Sequence, residues 1–367
     1  MKNNDIVIRQ ITEKDIPHLE EFYKRMWKDV GVAKFSKRLE WIIKKNPFIP
    51  DNFGYPVWIA ELEGMIVGHT AVLVIPFVFN GKEELASVCI DTIVDENYRG
   101  YGIGYKLNVA RRKPNNLIMG IGIAPNHRNV YKKLGSTDGR QVFSLSYFRY
   151  IDKQAINRRV KSKFLSNVLA FVLKLKLANK KLEKRSIDSL QFEQVNYFDE
   201  RFDNIWEKVK SKYDLAAKRT STYLNWKYAE VPDLDYKRYI IKDKNGNNIG
   251  VLVYRKGSQE EDNVIIVSEL FFVDFDEKYF ISALQKVIGS EKNFSSINLY
   301  TADEFILNVA KRNGFKTVYT QKPMYYYADD VSTDFEKLKT YISRGESDID
   351  QVGLVHQPYL KQLIQAK

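Results

Sequence analysis

The sequence predicts a mixed α/β protein (α+β) with two similarly built halves, each a mixed, mostly antiparallel sheet flanked by helices. Residues 5–150 alternate between strand-like and helix-like hydrophobic patterns, and residues 190–345 repeat that order. Between the halves, the segment from Lys153 to Arg185 carries eleven Lys or Arg and one acid, Glu183. Its apolar residues recur at helical spacing, which predicts a basic amphipathic helical linker. With 367 residues and 44% hydrophobic content, the chain can build a core in each half.

Charge and cysteine content indicate the compartment and the kinds of partner. The net charge is +12, but the linker alone contributes +10, so the two halves together carry only about +2. We therefore expect no nucleic-acid partner. A single cysteine excludes an internal disulfide and is typical of a reducing compartment. The N-terminal residues are polar and no window approaches ~18 consecutive apolar residues, so we expect a cytoplasmic protein.

The first half begins with a strand and two helices. The β-rich run IVIRQI predicts a strand over residues 6–11. Thr12 is a suitable N-cap for the helix that follows, in which apolar residues recur at helical spacing up to residue 27. A second helix fits residues 35–45.

Three strands and a glycine-rich loop come next. Turn residues at Glu63-Gly64 and Asn80-Gly81 divide residues 56–94 into an antiparallel meander. Its third strand, 84–94, runs directly into the loop. The remaining predicted elements are, in order, a helix from about Ile103, a strand over 117–123, a helix over 126–134, and a strand over 141–150 that closes the half.

The loop NYRGYGIGYKL, residues 97–107, is built to approach an anion. It does not fit a dinucleotide-binding fingerprint, because Tyr105 stands where the third glycine should be, and it lacks the Lys-Ser/Thr ending of a P-loop. It does present Arg99, Gly102 and Gly104 in an R-x-x-G-x-G pattern. Glycines let backbone N–H groups come close to an anion, and the N-terminus of the next helix adds positive potential. The alternative is a plain glycine-rich turn, but the strand before and the helix after favour a pyrophosphate site.

The run IDTIVDENYRGYGIGYKL, together with the strand order around it, resembles the GNAT superfamily of acyl-CoA N-acyltransferases over residues 5–150. In that family an R/Q-x-x-G-x-G/A loop binds the pyrophosphate of coenzyme A (CoA). The resemblance implies two GNAT-like domains, acyl-CoA as co-substrate, and no metal. The residues implied to bind CoA are Arg99, Gly100, Tyr101, Gly102, Ile103 and Gly104 at the pyrophosphate, the main chain of Thr92 and Val94 along the pantetheine arm and thioester carbonyl, and Asn126 at the next helix.

A second motif, APNHRNVYKKLGS, places Tyr131 four residues before Gly135, in the Y-x-K-L-G pattern that ends the family's next helix. The resemblance implies that Tyr131 lies near the CoA sulfur and protonates the leaving thiolate. The alternative is a half-buried aromatic with a satisfied hydroxyl. Ser136 departs from the family, which usually has Phe or Trp after the glycine.

Attack of an amine on a thioester requires the amine to be uncharged, so a group must accept its proton directly or through water. Asp91, at the end of the strand that enters the loop, is the best candidate base or amine anchor, because a carboxylate in an apolar strand needs a partner or a task. It could instead cap loop amides. His127 is a weaker candidate base, since a helix N-terminus disfavours protonated His. We expect His69 to be a satisfied core residue and Cys89 to serve in packing.

The second half follows the same plan without the loop. Residues 236–257 predict a hairpin turning at Asn245-Gly246, and 263–273 predict a strand equivalent to the one that enters the glycine loop. The next residues, DFDEKYF, contain three acids and no glycine. They would repel a pyrophosphate, so the second half is expected to be a degenerate GNAT-like domain available for the acceptor. The runs SINLYT, ILNVAKRNGF and MYYYA mirror the last elements of the first half.

The segment RTSTYLNWKY, residues 219–228, resembles an R-T-x-x-Y-L-x-W-R/K-Y segment of tandem GNAT proteins associated with bacterial surface-polysaccharide synthesis. The resemblance implies that Arg219 pairs with a nucleotide diphosphate and that Trp226 or Tyr228 stacks on a base or sugar. Alternatively, these aromatics pack the first helix of the domain against its sheet.

The linker has a broad apolar face beneath a basic one. That pattern suits weak contact with an anionic membrane surface, or packing across both halves with the lysines left in water. The residues on the apolar face are Phe164, Leu165, Val168, Leu169, Val172 and Leu173.

Together these features predict an N-acyltransferase that moves an acetyl or short hydroxyacyl group from CoA to the amine of an amino sugar. We expect the sugar to be nucleotide-linked, such as a dTDP-aminodideoxyhexose, and to serve bacterial O-antigen or capsule synthesis. The alternatives are Fem-type aminoacyl transfer from tRNA, which the CoA loop argues against, and a non-enzymatic basic module that binds membrane or nucleic acid. The predicted ranges are 1–150 (acyl-CoA domain), 151–189 (linker), 190–345 (acceptor domain) and 346–367 (C-terminal tail). The oligomeric state is left open.

Overall fold

The computed structural model describes residues 6–27, 32–112, 115–150, 156–157, 160, 162–177, 182, 190–257 and 263–346. The strands are β1 (Val7–Gln10), β2 (Val57–Leu62), β3 (Met65–Phe79), β4 (Lys82–Val94), β5 (Leu117–Gly120), β6 (Thr137–Asp138), β7 (Val142–Phe148), β8 (Gln191–Gln194), β9 (Leu215–Ala217), β10 (Lys237–Lys242), β11 (Asn248–Lys256), β12 (Val264–Phe272), β13 (Ser296–Thr301), β14 (Lys316–Gln321) and β15 (Met324–Tyr327). The helices are α1 (Ile16–Trp27), α2 (Val32–Ile43), α3 (Ile103–Ala110), α4 (Pro125–Lys133), α5 (Lys163–Leu177), α6 (Glu200–Val209), α7 (Ser221–Tyr228), α8 (Glu277–Ser290) and α9 (Glu304–Arg312).

Two mixed sheets organise the described residues. The first has the order β1-β2-β3-β4-β5-β15-β6, with β9 paired to the far end of β3. The second has the order β14-β7-β13-β12-β11-β10-β8. Each sheet contains a parallel pair, β4–β5 and β12–β13, and the other neighbouring strands run antiparallel. This confirms the predicted fold class of two mixed, mostly antiparallel sheets with flanking helices.

The turns of the predicted meander lie where the sequence puts them. Asn80 and Gly81 have φ of 48° and 78°, and Glu63 and Gly64 have φ of 50° and 78°, as a tight antiparallel hairpin needs. The β10–β11 hairpin turns at Gly246, whose φ is 82°. Backbone geometry at these positions is local, which is why the residue types alone predict it.

The two halves exchange a strand. The sequence predicts that the strand at 141–150 closes the first half, and this prediction is wrong. Strand β7 lies in the second sheet between β13 and β14, and β15 from the second half lies in the first sheet between β5 and β6. The ranges 1–150 and 190–345 therefore each contribute strands to both sheets.

A buried amide fixes the pairing of β7 with β13. Asn298 Nδ2 donates to Ser144 Oγ at 3.1 Å, to Ser146 Oγ at 3.2 Å and to Leu145 O at 3.2 Å. These polar side chains are buried, so a slip of one residue would leave them without partners. The exchange is thus specified by polar groups inside the sheet.

The first sheet is covered on both faces. On β4, Val88 and Ile90 pack in the apolar cluster of α1 and α2, whereas Cys89 packs with α3 and α4 on the other face. Cys89 is a buried free thiol, as expected of a packing residue. The two faces matter because the candidate site described below has groups on each.

The linker helix α5 does not bury its apolar face among the described residues. Phe164, Leu165, Val168, Leu169 and Val172 are exposed, so the interpretation that they pack across the two halves is wrong for these five residues. The side chain of Leu173, the linker residues 151–155, 158–159, 161, 178–181 and 183–189, and the predicted tail after residue 346 lie outside the described parts. None of the described helices is long and apolar enough to cross a bilayer.

Candidate active site

The candidate site begins where β4 and β5 separate. These parallel strands pair from Ala86–Leu117 to Cys89–Gly120, where β5 ends. Strand β4 continues to Val94, so its last five residues have no β5 neighbour. The gap beside β4 exposes a strand edge, and such an edge can pair with an extended ligand.

A bulge in β4 lies at the mouth of this gap. Ile90 pairs with Ala71 and Ile93 with His69, so Thr70 of β3 faces both Asp91 and Thr92. Asp91 takes a φ of 49°, a left-handed conformation that is uncommon for residues other than glycine. A bulge takes its extra residue out of the hydrogen-bond ladder and re-aims the side chains around it.

His69 holds the backbone of the bulge. Its Nδ1 lies 3.0 Å from Asp91 O, an acceptor, so Nδ1 carries the proton and donates. Its Nε2 then accepts from the Tyr23 hydroxyl at 3.0 Å. Burial lowers the pKa of His69 to about 4, which is consistent with a neutral ring. His69 is therefore the satisfied core residue that the sequence predicts, with the added task of fixing the Asp91 carbonyl.

The Asp91 side chain points to the α2 face and forms an ion pair with Arg38 Nη1. The Arg38 guanidinium is largely buried, and the Asp91 side chain keeps 17% of its surface exposed. The carboxylate is thus held in place yet still reachable, as an amine anchor requires. Arg38 has no motif around it, and a lone arginine on a helix is usually solvated, which is why the sequence does not identify it.

The glycine loop leads from the bulge to the first turn of α3. Asp95 Oδ1 accepts from Asn97 N at 3.1 Å and caps a short 3₁₀ turn. Gly100 and Gly102 follow with φ of 91° and 72°, and a Cβ at either would meet no atom within 4 Å. These glycines are therefore required by the backbone conformation, and the space beside them is open.

Helix α3 begins without a side-chain cap among the described residues. The first N–H groups of a helix have no partner within it, and they carry the positive end of the helix dipole. Arg99 is exposed, and its Nε lies 3.4 Å from Val94 O. Open glycines, uncapped N–H groups and an exposed arginine together fit an anion such as a pyrophosphate.

Beneath α3 lies a buried guanidinium that the sequence does not identify. Arg111, at the end of α3, is 1% exposed. Its Nη1 donates to Thr70 Oγ1 and to Thr92 Oγ1, both at 2.8 Å, and its Nη2 donates to Asn108 Oδ1. The Thr92 side chain is therefore engaged on the α3 face, so Thr92 can contact a ligand only through its main chain.

Tyr131 accepts a further hydrogen bond from this arginine. Arg111 Nη2 lies 2.5 Å from Tyr131 Oη and can only donate, so the hydroxyl hydrogen of Tyr131 must point elsewhere. A Cβ at Gly120 would come within 2.5 Å of Tyr131 Cε1, so the ring lies flush against the backbone where β5 ends. Burial raises the pKa of Tyr131, and the positive charge of Arg111 counteracts part of that rise. The phenol is hence protonated at neutral pH, and the Cys89 thiol lies within hydrogen-bond reach of it.

His127 closes the network at the start of α4. Asn108 Nδ2 donates to Gly104 O at 2.7 Å and to His127 Nε2 at 3.1 Å. Burial, helped by Arg111, lowers the pKa of His127 to about 4, so the ring is neutral and accepts this bond. Its Cε1 would lie 3.7 Å from a Cβ at Gly104. The neighbouring Asn126 is exposed at the first turn of α4.

In the second sheet, the equivalent gap is filled by the chain itself. Strands β12 and β13 pair only from Val264–Ser296 to Ile266–Asn298. Residues 341–346 pack against β12 and β13: Tyr341 Oη lies 3.1 Å from Glu269 Oε2, and Ser343 Oγ lies 2.9 Å from Glu269 Oε1. We call residues 341–346 the plug. It takes the place that a ligand would need.

Arg219 holds the plug in position. It is fully buried, and its Nη2 lies 2.5 Å from Glu346 Oε2 while its Nε lies 3.5 Å from Glu269 Oε2. Nη1 also donates to Ala217 O at 2.6 Å. Two carboxylates and a carbonyl already match this guanidinium, which argues against the predicted contact with an acceptor diphosphate, and we withdraw that assignment.

Trp226 and Tyr228 are buried as well, which favours the packing alternative. Trp226 stacks on Trp41 of α2 with ring centroids 4.4 Å apart and planes at 9°. Trp41 Nε1 donates to Trp226 O at 2.9 Å. Tyr228 donates to Glu269 Oε1 at 2.8 Å. Segment 219–228 thus braces α2 on one side and the plug on the other.

The fold is that of the GCN5-related N-acetyltransferases, built twice along one chain with an exchanged strand. A GCN5-related N-acetyltransferase from Anabaena variabilis matches at a TM-score of 0.59 and 10% identity, over 88% of this chain and 73% of that one. A conserved protein of unknown function from Enterococcus faecalis matches at a TM-score of 0.59 and 10% identity, over 88% of this chain and 72% of that one. A GCN5-related N-acetyltransferase from Kribbella flavida matches at a TM-score of 0.56 and 14% identity, over 89% of this chain and 72% of that one. No family model matches the sequence. At such identities the likeness establishes the fold, and activity must be argued from the site.

Proposed function

We propose that the protein is an N-acyltransferase that uses acyl-CoA as its acyl donor. The observation that carries the proposal is the continuity of three features in the first sheet: the gap beside β4, the bulge at Asp91, and the open glycine loop before α3. A strand edge suits an extended pantetheine arm, and the uncapped start of α3 suits its pyrophosphate. The second sheet has neither, because the plug fills its gap and residues 274–280 carry acids.

The residues that would bind CoA follow from this placement. Backbone N–H groups around Gly102 and Gly104 bind the pyrophosphate, with Arg99, Gly100, Tyr101 and Ile103 completing the loop. The main chain of Thr92 and Val94 pairs with the pantetheine arm. We assign to a backbone N–H of the bulge the role of donor to the thioester oxygen, where negative charge develops during attack.

Acid and base groups lie on opposite faces of the sheet. Asp91 reaches the α2 face, held by Arg38, and anchors the incoming amine or accepts its proton through water. Tyr131 lies on the α3–α4 face beside the Cys89 thiol, and its hydroxyl would donate its hydrogen to the leaving thiolate. Arg111 positions Tyr131 by occupying the other side of its oxygen.

The acceptor we propose is the amine of a nucleotide-linked amino sugar, such as a dTDP-aminodideoxyhexose, in bacterial surface-polysaccharide synthesis. The likeness of segment 219–228 to tandem GNAT proteins of that kind supports this class. Because the segment is buried, it would serve the reaction indirectly: Trp226 braces α2, and α2 carries the Arg38 that holds Asp91.

The test is calorimetric titration of acetyl-CoA into wild-type protein and two glycine variants. Gly102→Glu puts a negative charge where the pyrophosphate should lie, and should reduce affinity at least about 100-fold, because the added carboxylate repels the phosphates and its side chain prevents close approach to the backbone. Gly246→Glu is the matched control, because Gly246 has φ of 82° and equally open surroundings on the β10–β11 turn. Equal acetyl-CoA affinity in the two variants would contradict the assignment of the loop.

A further inference from the structure

Helix α5 presents its largest apolar side chains to the outside. Phe164 is 75% exposed, Phe171 63% and Leu165 58%, whereas the small residues Ser166 and Ala170 face inward. This is the reverse of an ordinary surface helix, which buries its apolar stripe and leaves polar residues in water. A contiguous apolar surface of this kind marks a site of interaction.

Small contacts hold the helix in this orientation. Ser166 Oγ donates to Asn157 Oδ1 at 2.6 Å, and Leu165 N lies 3.4 Å from Ser162 Oγ at the start of the helix. Ser166 and Ala170 are four residues apart and lie one above the other on the inner side. Phe164, Val168 and Phe171 follow at helical spacing on the outer side. The exposed face is therefore a set orientation of a capped helix.

Charge decides what covers this face. Between residues 153 and 185 the chain carries eleven Lys or Arg against Glu183 alone, and α5 itself contains Lys163, Lys174 and Lys176 with no acid. A second copy of this chain would bring a second strongly basic segment against the first, and like charges oppose that pairing. An anionic lipid surface supplies opposite charge and an apolar layer together, and a helix 15 residues long lies in the interface rather than spanning it.

We infer that α5 docks the protein on an anionic membrane surface, with Phe164, Leu165, Val168 and Phe171 inserted and the net positive charge of segment 153–185 attracted to the headgroups. The basic flanks supply attraction over a Debye length, and the aromatic side chains supply the buried apolar area. Docking through α5 is independent of the glycine loop and of the acyl transfer proposed above.

Flotation of the full-length protein with lipid vesicles tests this inference. Vesicles of phosphatidylcholine with 30 mol% phosphatidylglycerol should carry the protein upward with a partition coefficient more than about tenfold above that of pure phosphatidylcholine, and ~0.5 M salt should abolish most of the difference. Phe164→Ser/Phe171→Ser should lower partitioning at least about tenfold. The matched control is Val318→Ser/Val331→Ser, which removes exposed apolar side chains at a β-strand and a loop and should leave partitioning unchanged.

Three results would overturn the inference. Equal partitioning onto neutral and anionic vesicles would remove the electrostatic argument. Equal loss in the control pair would show a nonspecific effect of surface hydrophobicity. Sedimentation showing a concentration-dependent dimer that Phe164→Ser/Phe171→Ser dissolves would mean that a second copy covers the face. Acetyl-CoA titration of the same variants separates these outcomes from a failure of the proposed activity, because α5 contributes no residue to the glycine loop.

Discussion

Arg219→Met distinguishes the role that the sequence implies for this arginine from the one that the structure gives it. If Arg219 binds an acceptor diphosphate, its loss raises the acceptor KM and leaves folding intact. If it holds the plug, its loss leaves the Glu269 and Glu346 carboxylates in the interior without their cation. Breaking a buried ion pair from one side typically costs about 3–5 kcal/mol of unfolding free energy. The structure predicts a value in that range, because all three side chains are at most 1% exposed.

The defect should depend on pH, with a sign that follows from Glu269. Burial raises the pKa of Glu269, and Arg219 counteracts part of that rise. In the variant the pKa should rise further, so the folded state holds a proton that the unfolded state has released. The stability of Arg219→Met should therefore fall as the pH rises from about 5 to 8, relative to wild type.

Urea unfolding at pH 5 and pH 8 measures both effects, with acceptor kinetics on the folded protein alongside. The triple variant Arg219→Met/Glu269→Gln/Glu346→Gln is the control: it removes the stranded charges and should recover part of the stability lost at pH 8. An Arg219→Met protein with wild-type stability at pH 8 and an acceptor KM raised tens-fold would refute the plug and restore the acceptor role.

The remaining predictions address the first sheet. Tyr131→Phe keeps the ring and removes the hydroxyl, so it should lower kcat about 100-fold and leave acetyl-CoA affinity unchanged, because a general acid acts on the leaving group; an unchanged kcat in steady-state kinetics would show that the ring serves only in packing. Trp226→Phe should lower the free energy of unfolding by about 1–3 kcal/mol. It should also lower kcat by displacing α2, and hence Arg38, with no change in acetyl-CoA affinity; an unchanged kcat would show that Trp226 does not position α2 for the reaction. His69→Gln should reduce the loss of unfolding free energy that wild type shows as the pH falls. The pKa of His69 falls from its usual 6.5 to about 4 on folding, so wild type loses up to about 3 kcal/mol as the pH falls through that window, and urea titrations of both proteins measure the difference.

Features that depend on local backbone geometry could be predicted from the sequence. Turn glycines, the end of α4 at Gly135 with φ of 80°, and the glycine loop each follow from what a few neighbouring residues permit. The exchange of β7 and β15 could not be predicted this way. An alternating strand pattern defines a strand and its faces, but it carries no information about which sheet accepts it. Asn298, which selects the pairing, lies about 150 residues from its serine partners in the sequence. A contact over that separation leaves no local sequence pattern.

The site divides along the same line. The sequence identifies the loop and Tyr131, because motifs of fixed spacing mark them, and it identifies Asp91, because a carboxylate in an apolar strand is conspicuous. It misses Arg38 and Arg111, since a charged residue on a helix normally indicates solvent, and only tertiary packing shows that these two guanidinium groups are buried. It also assigns Arg219 and Trp226 to a ligand, because residues that brace a site and residues that contact a substrate leave the same chemical types in the chain.

The two sheets share one fold but differ in the gap between their parallel strands. In the first sheet, the gap beside β4 is left open, and the polar groups around it, Asp91 and Tyr131, are held by Arg38 and Arg111. In the second sheet, the gap is closed by the plug, and the arginine that might have met a ligand is matched instead by Glu346. The buried ion pairs of Arg219 with Glu269 and Glu346 would have to be broken before any ligand entered the second gap. In the function proposed above, the acyl donor binds only beside the first sheet. Helix α7 of the second half packs on α2 through Trp226 and Trp41, and α2 carries the Arg38 that holds Asp91.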